Sequence, residues 1–346
     1  MNSNIKVALI GTGNICLTAH APILKKLNAD VKYAVDIDNK ALLKIKGIFP
    51  DITISNNLES VDWKKITCAI VTSPTALHFQ HVKSLLSRNI HVLCEKPLAT
   101  TSKEAQELAD ITRNRNLILQ VGYYRRFHTA AQYIKKIIMT GNLGKLQSCV
   151  MLAGHIFSVS EIPPSLTNKK LSGGGCTMDF GVHTLDLLSF WFDRVKLLEY
   201  YDDSKDWVEA NAFMRLESSI NSNVIPTIIL LSRTNNIGYV AYLNFEKLTV
   251  AYHFNTGYKV KFISPPVKIF NHDYFMQNDI LLENEVDYLY YFEKQWLEFT
   301  NRINGLNDNI SSLDDAILTT SLAEACYQNK KELKLPWENI INKLDI

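Results

Sequence analysis

Two glycines near the N-terminus have the spacing of a phosphate-binding turn. Gly11 and Gly13 follow a short β-branched run at residues 6–10 and precede a helical segment. In such a turn the first glycine permits the tight bend, the second lets a pyrophosphate approach the backbone, and the third position, here Cys16, needs a small side chain. Asp36 ends the next predicted strand, where an acid accepts hydrogen bonds from the adenosine ribose and repels a 2′-phosphate. The pattern predicts a nicotinamide dinucleotide site that prefers NAD to NADP, rather than an ordinary strand–helix turn.

Three further side chains have the chemistry needed to act on an alcohol or a ketone. Lys96 follows a predicted strand at residues 91–94, and the carboxyl end of a parallel strand faces the ligand crevice. Its ammonium could hydrogen-bond a substrate hydroxyl or polarise a ketone. Asp179 and His183 have a four-residue spacing that places them on one helix face, where a carboxylate can orient an imidazole for acid–base work. The alternative for Lys96 is a solvated lysine on a loop. The alternatives for Asp179 and His183 are a helix-capping aspartate with a partly buried histidine, or a two-point metal site without a third ligand.

Three other histidines could bind a metal ion or touch a substrate. His78 and His81 have a helical spacing that permits a metal pair, yet no carboxylate cluster accompanies them. We therefore predict no metal site, with His78 near the cofactor crevice and His81 at the surface. His155 follows a predicted strand and is interpreted as a substrate contact, with an ordinary surface histidine as the alternative.

The first third of the chain alternates strand and helix signals. Strands are predicted at residues 6–10, 31–35, 68–72, 91–94 and 117–121, and helices at residues 40–48, 75–87 and 102–113. The last of these helices opens with a capping-box pattern at Thr101 and Glu104. Such alternation implies an α/β fold with a doubly wound parallel sheet. Residues 1–122 are thus predicted to form an NAD(P)-binding Rossmann domain.

After Gly122 the pattern of the sequence changes. Strand-like segments are predicted at residues 146–153, 211–217, 225–231, 239–245 and 247–254. Helices are predicted at residues 129–140, 182–191, 285–303 and 313–331. Consecutive strands with few helices between them suit a mostly antiparallel sheet. Residues 123–346 are therefore predicted to form an α/β domain with a large open antiparallel sheet, used for substrate binding and oligomerisation.

Composition bounds the class of protein. The chain is 47% apolar and 21% charged, which excludes a disordered or fibrous chain. Its length of 346 residues predicts about two domains. The net charge of +2 comes without a basic block, so no nucleic-acid partner is expected. No uncharged apolar run reaches the ~18 residues of a membrane helix, and the N-terminus resembles a first strand more than a signal peptide. Six scattered cysteines without a Cys-x-x-Cys pair favour a reduced, cytoplasmic setting.

Several motifs occur in a fixed order along the chain. They are Gly11-Thr12-Gly13-Asn14-Ile15 with His20, Thr72-Ser73-Pro74-Thr75 with His78, Glu95-Lys96-Pro97, Gly122-Tyr123-Tyr124-Arg125-Arg126-Phe127, Gly141-Asn142-Leu143-Gly144, and Gly173-Gly174-Gly175 with Asp179 and His183. By these motifs the chain resembles, over nearly its whole length, the glucose–fructose oxidoreductase, inositol dehydrogenase and rhizopine-catabolism (Gfo/Idh/MocA) family. The resemblance implies a Rossmann domain followed by an open sheet that commonly forms a homodimer or homotetramer. It also implies NAD(P)-dependent oxidation or reduction at a secondary alcohol of a sugar, nucleotide sugar or cyclitol.

The resemblance also assigns roles by position. Lys96, Asp179 and His183 match the catalytic residues. The expected cofactor-binding residues are Gly11, Gly13, Asn14, Ile15, Asp36, Ser73, Pro74, His78, Glu95 and Lys96. The expected substrate-binding residues are Lys96, Arg126, His155, Asp179 and His183. Thr75 stands where asparagine is frequent, and residues 155–171 follow no usable pattern and are expected to shape the substrate pocket.

Two other functions use the same residues. Some relatives keep NAD bound and cleave glycosides by transient oxidation, and others bind a dinucleotide as non-catalytic regulators. Retention of all three catalytic positions favours an enzyme, and the leading interpretation is a dehydrogenase or ketoreductase.

Overall fold

The computed structural model describes residues 5–157, 164–205, 207–264, 267–269, 272–274, 277–306 and 310–333. Its helices are α1 (Ala21–Lys26), α2 (Asn39–Ile48), α3 (Thr75–Ser87), α4 (Ser102–Asn114), α5 (Thr129–Thr140), α6 (Pro164–Thr167), α7 (Lys169–Ser172), α8 (Val182–Trp191), α9 (Leu289–Ile303) and α10 (Leu313–Gln328). Its strands are β1 (Lys6–Ile10), β2 (Asp30–Val35), β3 (Thr53–Ser55), β4 (Cys68–Val71), β5 (His91–Cys94), β6 (Leu119–Val121), β7 (Leu146–Gly154), β8 (Arg194–Asp202), β9 (Asn211–Ile220), β10 (Asn223–Ser232), β11 (Gly238–Phe245), β12 (Thr249–His253), β13 (Lys259–Ile263), β14 (Val267–Ile269), β15 (His272–Tyr274), β16 (Gln277–Leu281) and β17 (Lys330–Glu332).

The first sheet is the predicted doubly wound parallel sheet. Its six strands run in the order β3-β2-β1-β4-β5-β6, and every pairing is parallel. Strand β4 is buried along its whole length, as expected of a strand covered on both faces. The strand order reverses between β1 and β4, and ligands bind outside the carboxyl ends of strands at such a point. The fold therefore puts the loops after β1, β4 and β5 at the edge where a cofactor is expected.

Helix boundaries in this region agree with the sequence signals where a side chain caps the helix. Thr101 accepts a hydrogen bond from the Glu104 N–H, and the Glu104 carboxylate accepts one from the Thr101 N–H, so the predicted capping box opens α4. The helix after the glycine turn differs from a regular α-helix. Cys16–His20 form a π-turn before α1, because Pro22 has no N–H and its ring excludes a regular turn.

The chain divides into two compact units. One contains Met1–Phe127 and Val286–Thr320, and the other contains His128–Glu285 and Ser321–Ile346. The sequence places one boundary at residue 122, whereas the structure returns residues 286–320 to the first unit. The physical reason is α9, whose Phe292, Trp296 and Phe299 are buried in the same core as the parallel sheet.

The second sheet is mixed and mostly antiparallel, as predicted. Its nine strands run β16-β13-β12-β11-β7-β10-β9-β8-β17, with parallel pairs only at β10–β7 and β17–β8 among the strands described. Residues 330–332 form β17, although the sequence favours helix through residue 331. Here pairing with β8 and an ion pair of 2.9 Å between Lys330 and Asp202 outweigh helix propensity. Across the residues that the structure places, no helix has the length and apolar character needed to cross a bilayer.

Candidate active site

The glycine turn after β1 has one closed side and one open side. Gly11 has a φ of +87°, and a Cβ there would lie 2.6 Å from the Ser73 backbone nitrogen. A Cβ on Gly13 would meet no atom within 4 Å. Cys16, the third position of the motif, is fully buried, which explains the need for a small side chain. The turn is thus fixed against the loop after β4 and leaves its backbone open at Gly13, which fits the approach of a diphosphate.

Asp36 connects the end of β2 to this turn. Its Oδ2 accepts hydrogen bonds from the Thr12 N–H at 2.5 Å and the Thr12 hydroxyl at 3.1 Å, and its Oδ1 accepts one from the Asp38 N–H at 2.9 Å. The carboxylate is only partly buried. Asp36 therefore holds the turn in place while it keeps a carboxylate beside it.

His78 links the loops that follow β4 and β5. Its Nδ1 lies 2.7 Å from the Pro97 carbonyl oxygen and its Nε2 lies 2.8 Å from that of Ser73. The side chain is 1% exposed, and burial lowers its pKa. The sequence predicts His78 near the cofactor crevice; the structure places it as a strut between the two loops.

His81 and Ser73 form the neighbouring contact. The Ser73 hydroxyl and His81 Nδ1 are 2.9 Å apart, and His81 is partly buried rather than at the surface as predicted. Burial lowers the pKa of His81. In the described part of the chain, no group of three or more His, Cys, Asp or Glu side chains has the arrangement of a metal site.

Glu95 lies beneath Lys96 in a buried polar cluster. Its Oε1 is 2.9 Å from His20 Nε2, and its Oε2 accepts a hydrogen bond of 3.2 Å from the Lys96 N–H. A Cβ on Gly122 would lie 3.0 Å from Oε1, so that glycine makes room for the carboxylate. Burial on its own raises the pKa of Glu95, but the hydrogen bond and charge of His20, together with Lys96, outweigh it and hold the pKa below its usual value. His20 belongs to one of the family motifs, but the sequence assigns it no role. In the structure it is the hydrogen-bond partner of Glu95.

Asp179 and His183 stand where a π-turn becomes a regular helix. Thr177–Gly181 form the π-turn and α8 follows at Val182. Wide turns of this kind occur frequently at functional sites. The Asp179 Oδ2 accepts a hydrogen bond of 3.0 Å from the Arg233 guanidinium, and His183 is 6% exposed. The helical segment is therefore present as predicted from residue 182, whereas Arg233, the partner of Asp179, carries no sequence signal.

His155 belongs to a cluster of aromatic rings near the same turn. Its Nδ1 lies 2.6 Å from the Tyr239 hydroxyl, and its ring centroid lies 3.9 Å from that of Phe157. Phe180, beside Asp179, lies 6.2 Å from Tyr239 and 6.4 Å from Phe157. His155 itself is exposed. The part of the predicted pocket-shaping segment at residues 158–163 lies outside the described residues.

Arg126 is enclosed within the first unit. Its guanidinium forms an ion pair of 2.7 Å with Asp315 and donates to the Ile310 carbonyl oxygen at 3.3 Å. The side chain is 1% exposed. The sequence predicts Arg126 as a substrate contact; this placement ties it to the first turn of α10 and to the segment before that helix.

Comparison with known proteins defines the family. Residues 5–123 match the family described as "Oxidoreductase family, NAD-binding Rossmann fold", and residues 131–219 match the "GFO/IDH/MocA C-terminal domain". Together these segments cover more than half of the chain. The protein belongs to the Gfo/Idh/MocA family of oxidoreductases.

Two curated relatives illustrate the range of the family. An uncharacterized oxidoreductase of Schizosaccharomyces pombe is 29% identical over 242 residues, which is 67% of this chain and 65% of that protein. The D-glucoside 3-dehydrogenase of Escherichia coli is 27% identical over 197 residues, 54% of this chain and 53% of that protein. The chain thus spans between half and two thirds of the length of these relatives.

Two solved structures share the fold. A levoglucosan dehydrogenase in complex with NADH and levoglucosan has a TM-score of 0.79 at 15% identity, covering 94% of this chain and 97% of that one. A 3-ketoreductase from Actinomadura kijaniata, in complex with NADP and TDP-benzene, has a TM-score of 0.77 at 15% identity, covering 96% and 99%. These structures establish the fold and include both forms of the dinucleotide.

Proposed function

We propose that this protein is an NAD(P)-dependent dehydrogenase or ketoreductase that acts on a secondary alcohol or ketone of a sugar, nucleotide sugar or cyclitol. The observation that carries the proposal is the edge formed by the loops after β1, β4 and β5. Gly11 packs against Ser73, and His78 joins Ser73 to the Lys96–Pro97 loop, so an open glycine turn and a lysine share one edge. Relatives named as sugar and inositol dehydrogenases support the substrate class.

Each proposed site residue has a defined task. Residues 11–15, Asp36, Ser73 and Pro74 hold the dinucleotide, which supplies the hydride acceptor or donor when bound. Lys96 hydrogen-bonds the reacting oxygen and stabilises the negative charge that develops on it. His183 removes or returns the hydroxyl proton, and Asp179 orients that imidazole.

Enzyme assays with purified protein test this function. Sugars, nucleotide sugars and cyclitols are offered with NAD and, separately, with NADP, and the absorbance of the reduced nicotinamide is followed. Formation of the reduced cofactor in proportion to product supports a dehydrogenase. Glycoside cleavage without added cofactor, or cofactor binding without turnover of any of these compounds, contradicts it.

We further propose that Asp36 sets a preference for NAD. Its carboxylate is fixed beside the glycine turn, and Asp38 adds a second negative charge two residues later, at the start of α2. Negative charge at this place disfavours a 2′-phosphate. Asp36→Asn keeps an acceptor for the Thr12 N–H but removes the charge. We expect it to weaken NAD binding by about 1–2 kcal/mol, the scale of a charged hydrogen bond, and to narrow the gap to NADP. The exposed Asp51→Asn serves as control, and tighter NADP binding by the unaltered protein contradicts the proposal.

A homodimer or homotetramer through the second sheet is the proposed assembly. On β10, Val224 is 54% exposed and Leu230 is 39% exposed. Leu230 is paired with Phe213 on the neighbouring strand β9. An apolar sheet face of this kind marks an interaction surface. Light scattering is expected to give a multiple of the chain mass, reduced by Leu230→Glu but not by Leu43→Glu on the exposed face of α2. A monomer in the unaltered protein contradicts this assembly.

The proposed location is the cytoplasm. The six cysteines are buried free thiols, as suits a reducing compartment. Cell fractionation with an antibody to the protein tests this location, and recovery from an oxidising compartment contradicts it.

A further inference from the structure

Glu209, just before β9, is a buried carboxylate that the sequence motifs do not include. Its side chain is 2% exposed. Oε2 accepts a hydrogen bond from the Gly175 N–H at 2.9 Å, and Oε1 accepts bonds from the Thr177 N–H at 2.9 Å and the Tyr327 hydroxyl at 2.7 Å. Burial raises the pKa of Glu209, and the hydrogen bonds from the Tyr327 hydroxyl and the Thr177 N–H act against that rise. The carboxylate therefore serves as an internal acceptor that fixes the backbone on either side of residue 176.

The glycines before Asp179 exist because Glu209 and Tyr327 fill the space beside them. A Cβ on Gly175 would lie 2.1 Å from the Glu209 carbonyl oxygen, and one on Gly174 would lie 1.9 Å from the Tyr327 hydroxyl oxygen. The Cys176 N–H also donates to the Glu209 carbonyl oxygen at 3.0 Å. Residues 174–177 are thus fitted closely onto two residues from distant parts of the sequence, Glu209 with its backbone and side chain and Tyr327 with its hydroxyl.

The segment at residues 209–210 also holds Arg233, the ionic partner of Asp179. The carbonyl oxygen of Ala210 accepts a hydrogen bond of 2.8 Å from the Arg233 N–H, and the Arg233 guanidinium donates to Asp179 at 3.0 Å. The Asp179 N–H donates to the Gly175 carbonyl oxygen at 3.0 Å. Residues 209–210 are therefore connected to Asp179 in two ways. Glu209 binds the turn that contains Asp179, and Ala210 binds Arg233, which pairs with Asp179.

We propose that Glu209 is a positioning residue that sets the location of the Asp179 carboxylate through the glycine turn, while the neighbouring Ala210 carbonyl holds Arg233, the ionic partner of Asp179. The inference rests on the proposed function, in which Asp179 orients His183. It adds a residue that acts through others and explains why two consecutive glycines precede the turn.

Glu209→Gln is the principal variant for the test. It keeps the size of the side chain but turns one acceptor into an N–H₂ donor, which opposes either the Gly175 or the Thr177 N–H. We expect a loss of about 10²-fold in kcat, the scale of a small misplacement of a reacting group, with little change in cofactor binding. Tyr327→Phe removes one donor only and is expected to cost about two- to tenfold. The exposed Glu332→Gln on β17 is the matched control and leaves kcat unchanged.

Combination with Asp179→Asn separates positioning from a general structural effect. If Glu209 acts through Asp179, then Glu209→Gln adds less than about threefold to the loss in kcat already caused by Asp179→Asn, because coupled residues are not additive. A fully additive loss, or an unchanged kcat in Glu209→Gln, overturns the proposal. Tyr327→Phe carries the same comparison if Glu209→Gln does not fold.

A crystal structure of Glu209→Gln gives a result that does not depend on turnover. Displacement of the Asp179 carboxylate from Arg233 supports the proposal, and an unmoved ion pair overturns it. Absence of turnover in the unaltered protein would instead count against the proposed function, so the two failures are distinguishable.

Discussion

The edge of the parallel sheet and the turn around Asp179 are built in different ways. At the sheet edge, Gly11 is required by its own backbone angle and by the backbone of Ser73, so the glycine follows from the path of the chain. Around Asp179, Gly174 is required by the side chain of Tyr327, and Gly175 by the backbone and side chain of Glu209. The first glycine motif describes a backbone shape, whereas the second records the volume of residues that lie elsewhere in the sequence.

Substitution of the proposed catalytic groups has the largest expected effect and shows whether both regions serve one reaction. Lys96→Ala and His183→Ala should each slow turnover by roughly 10²–10⁴-fold, the scale of acid–base assistance, and His183→Ala should leave NAD affinity nearly unchanged. Lys103→Ala and His253→Ala, both at exposed positions, are the controls in the same assays. A loss confined to one region would mean that the other takes no part in the chemistry.

Substitution in α9 tests how far the stability of the parallel sheet depends on residues that are distant in the sequence. Trp296 is buried with the parallel sheet, and Trp296→Ala should lower the free energy of unfolding by about 3–5 kcal/mol. Trp207 is 75% exposed, so Trp207→Ala is the matched control. Denaturant melts of the two variants measure the difference. Equal melting midpoints would show that α9 contributes little to this core.

The two glycines of the first turn separate backbone shape from ligand contact. Gly11→Ala puts a Cβ against Ser73 at a positive φ and should destabilise the fold by about 1–3 kcal/mol. Gly13→Ala puts its methyl group in open space and should change stability by less than about 0.5 kcal/mol, yet lower the affinity for the dinucleotide. Thermal melts and cofactor titrations measure both. Unchanged cofactor binding in Gly13→Ala would disconnect the turn from the diphosphate.

The smallest expected effect concerns His20 and Glu95, a buried side-chain pair at the sheet edge. Because the pKa of Glu95 is lowered in the folded protein, its contribution to stability is complete above its ordinary pKa and is lost as the pH falls through the lowered value. His20→Ala removes the hydrogen-bond partner, so acid unfolding should begin at a higher pH than in the unaltered protein. Circular dichroism during acid titration measures this, with the exposed His253→Ala as control. An unshifted acid transition would assign the lowered pKa to Lys96 alone.

The contrast between the sheet edge and the turn around Asp179 also explains which parts of the structure can be predicted from the sequence. The six-stranded sheet, the capping box at Thr101 and the glycine turn follow from local signals, because each depends on residues close together in the chain. The placement of α9 and the end of α10 do not, since tertiary contacts of Trp296 and Lys330 decide them. In the second unit the pattern locates Asp179 and His183 on a helical segment.

Residues that support the candidate site are the part that sequence reasoning misses. Arg233 follows β10 and Glu209 precedes β9, and neither has a sequence spacing that connects it to Asp179. Three consecutive glycines were the available signal, because a run of residues without side chains indicates that something large packs against them. Its identity depends on the fold, since Glu209 follows that run by 34 residues.

The assignment of α9 to the first unit has a consequence for synthesis of the protein. Residues 1–127 leave the ribosome before Phe292, Trp296 and Phe299 exist, and residues 128–285 are made in between. At about 5–20 residues per second this interval lasts on the order of ten to thirty seconds. During that time the side chains of α9 are missing from the core of the parallel sheet, so apolar surface that they later cover is exposed. A nascent chain arrested at residue 285 should therefore be cleaved by protease within residues 5–127 more readily than the released chain.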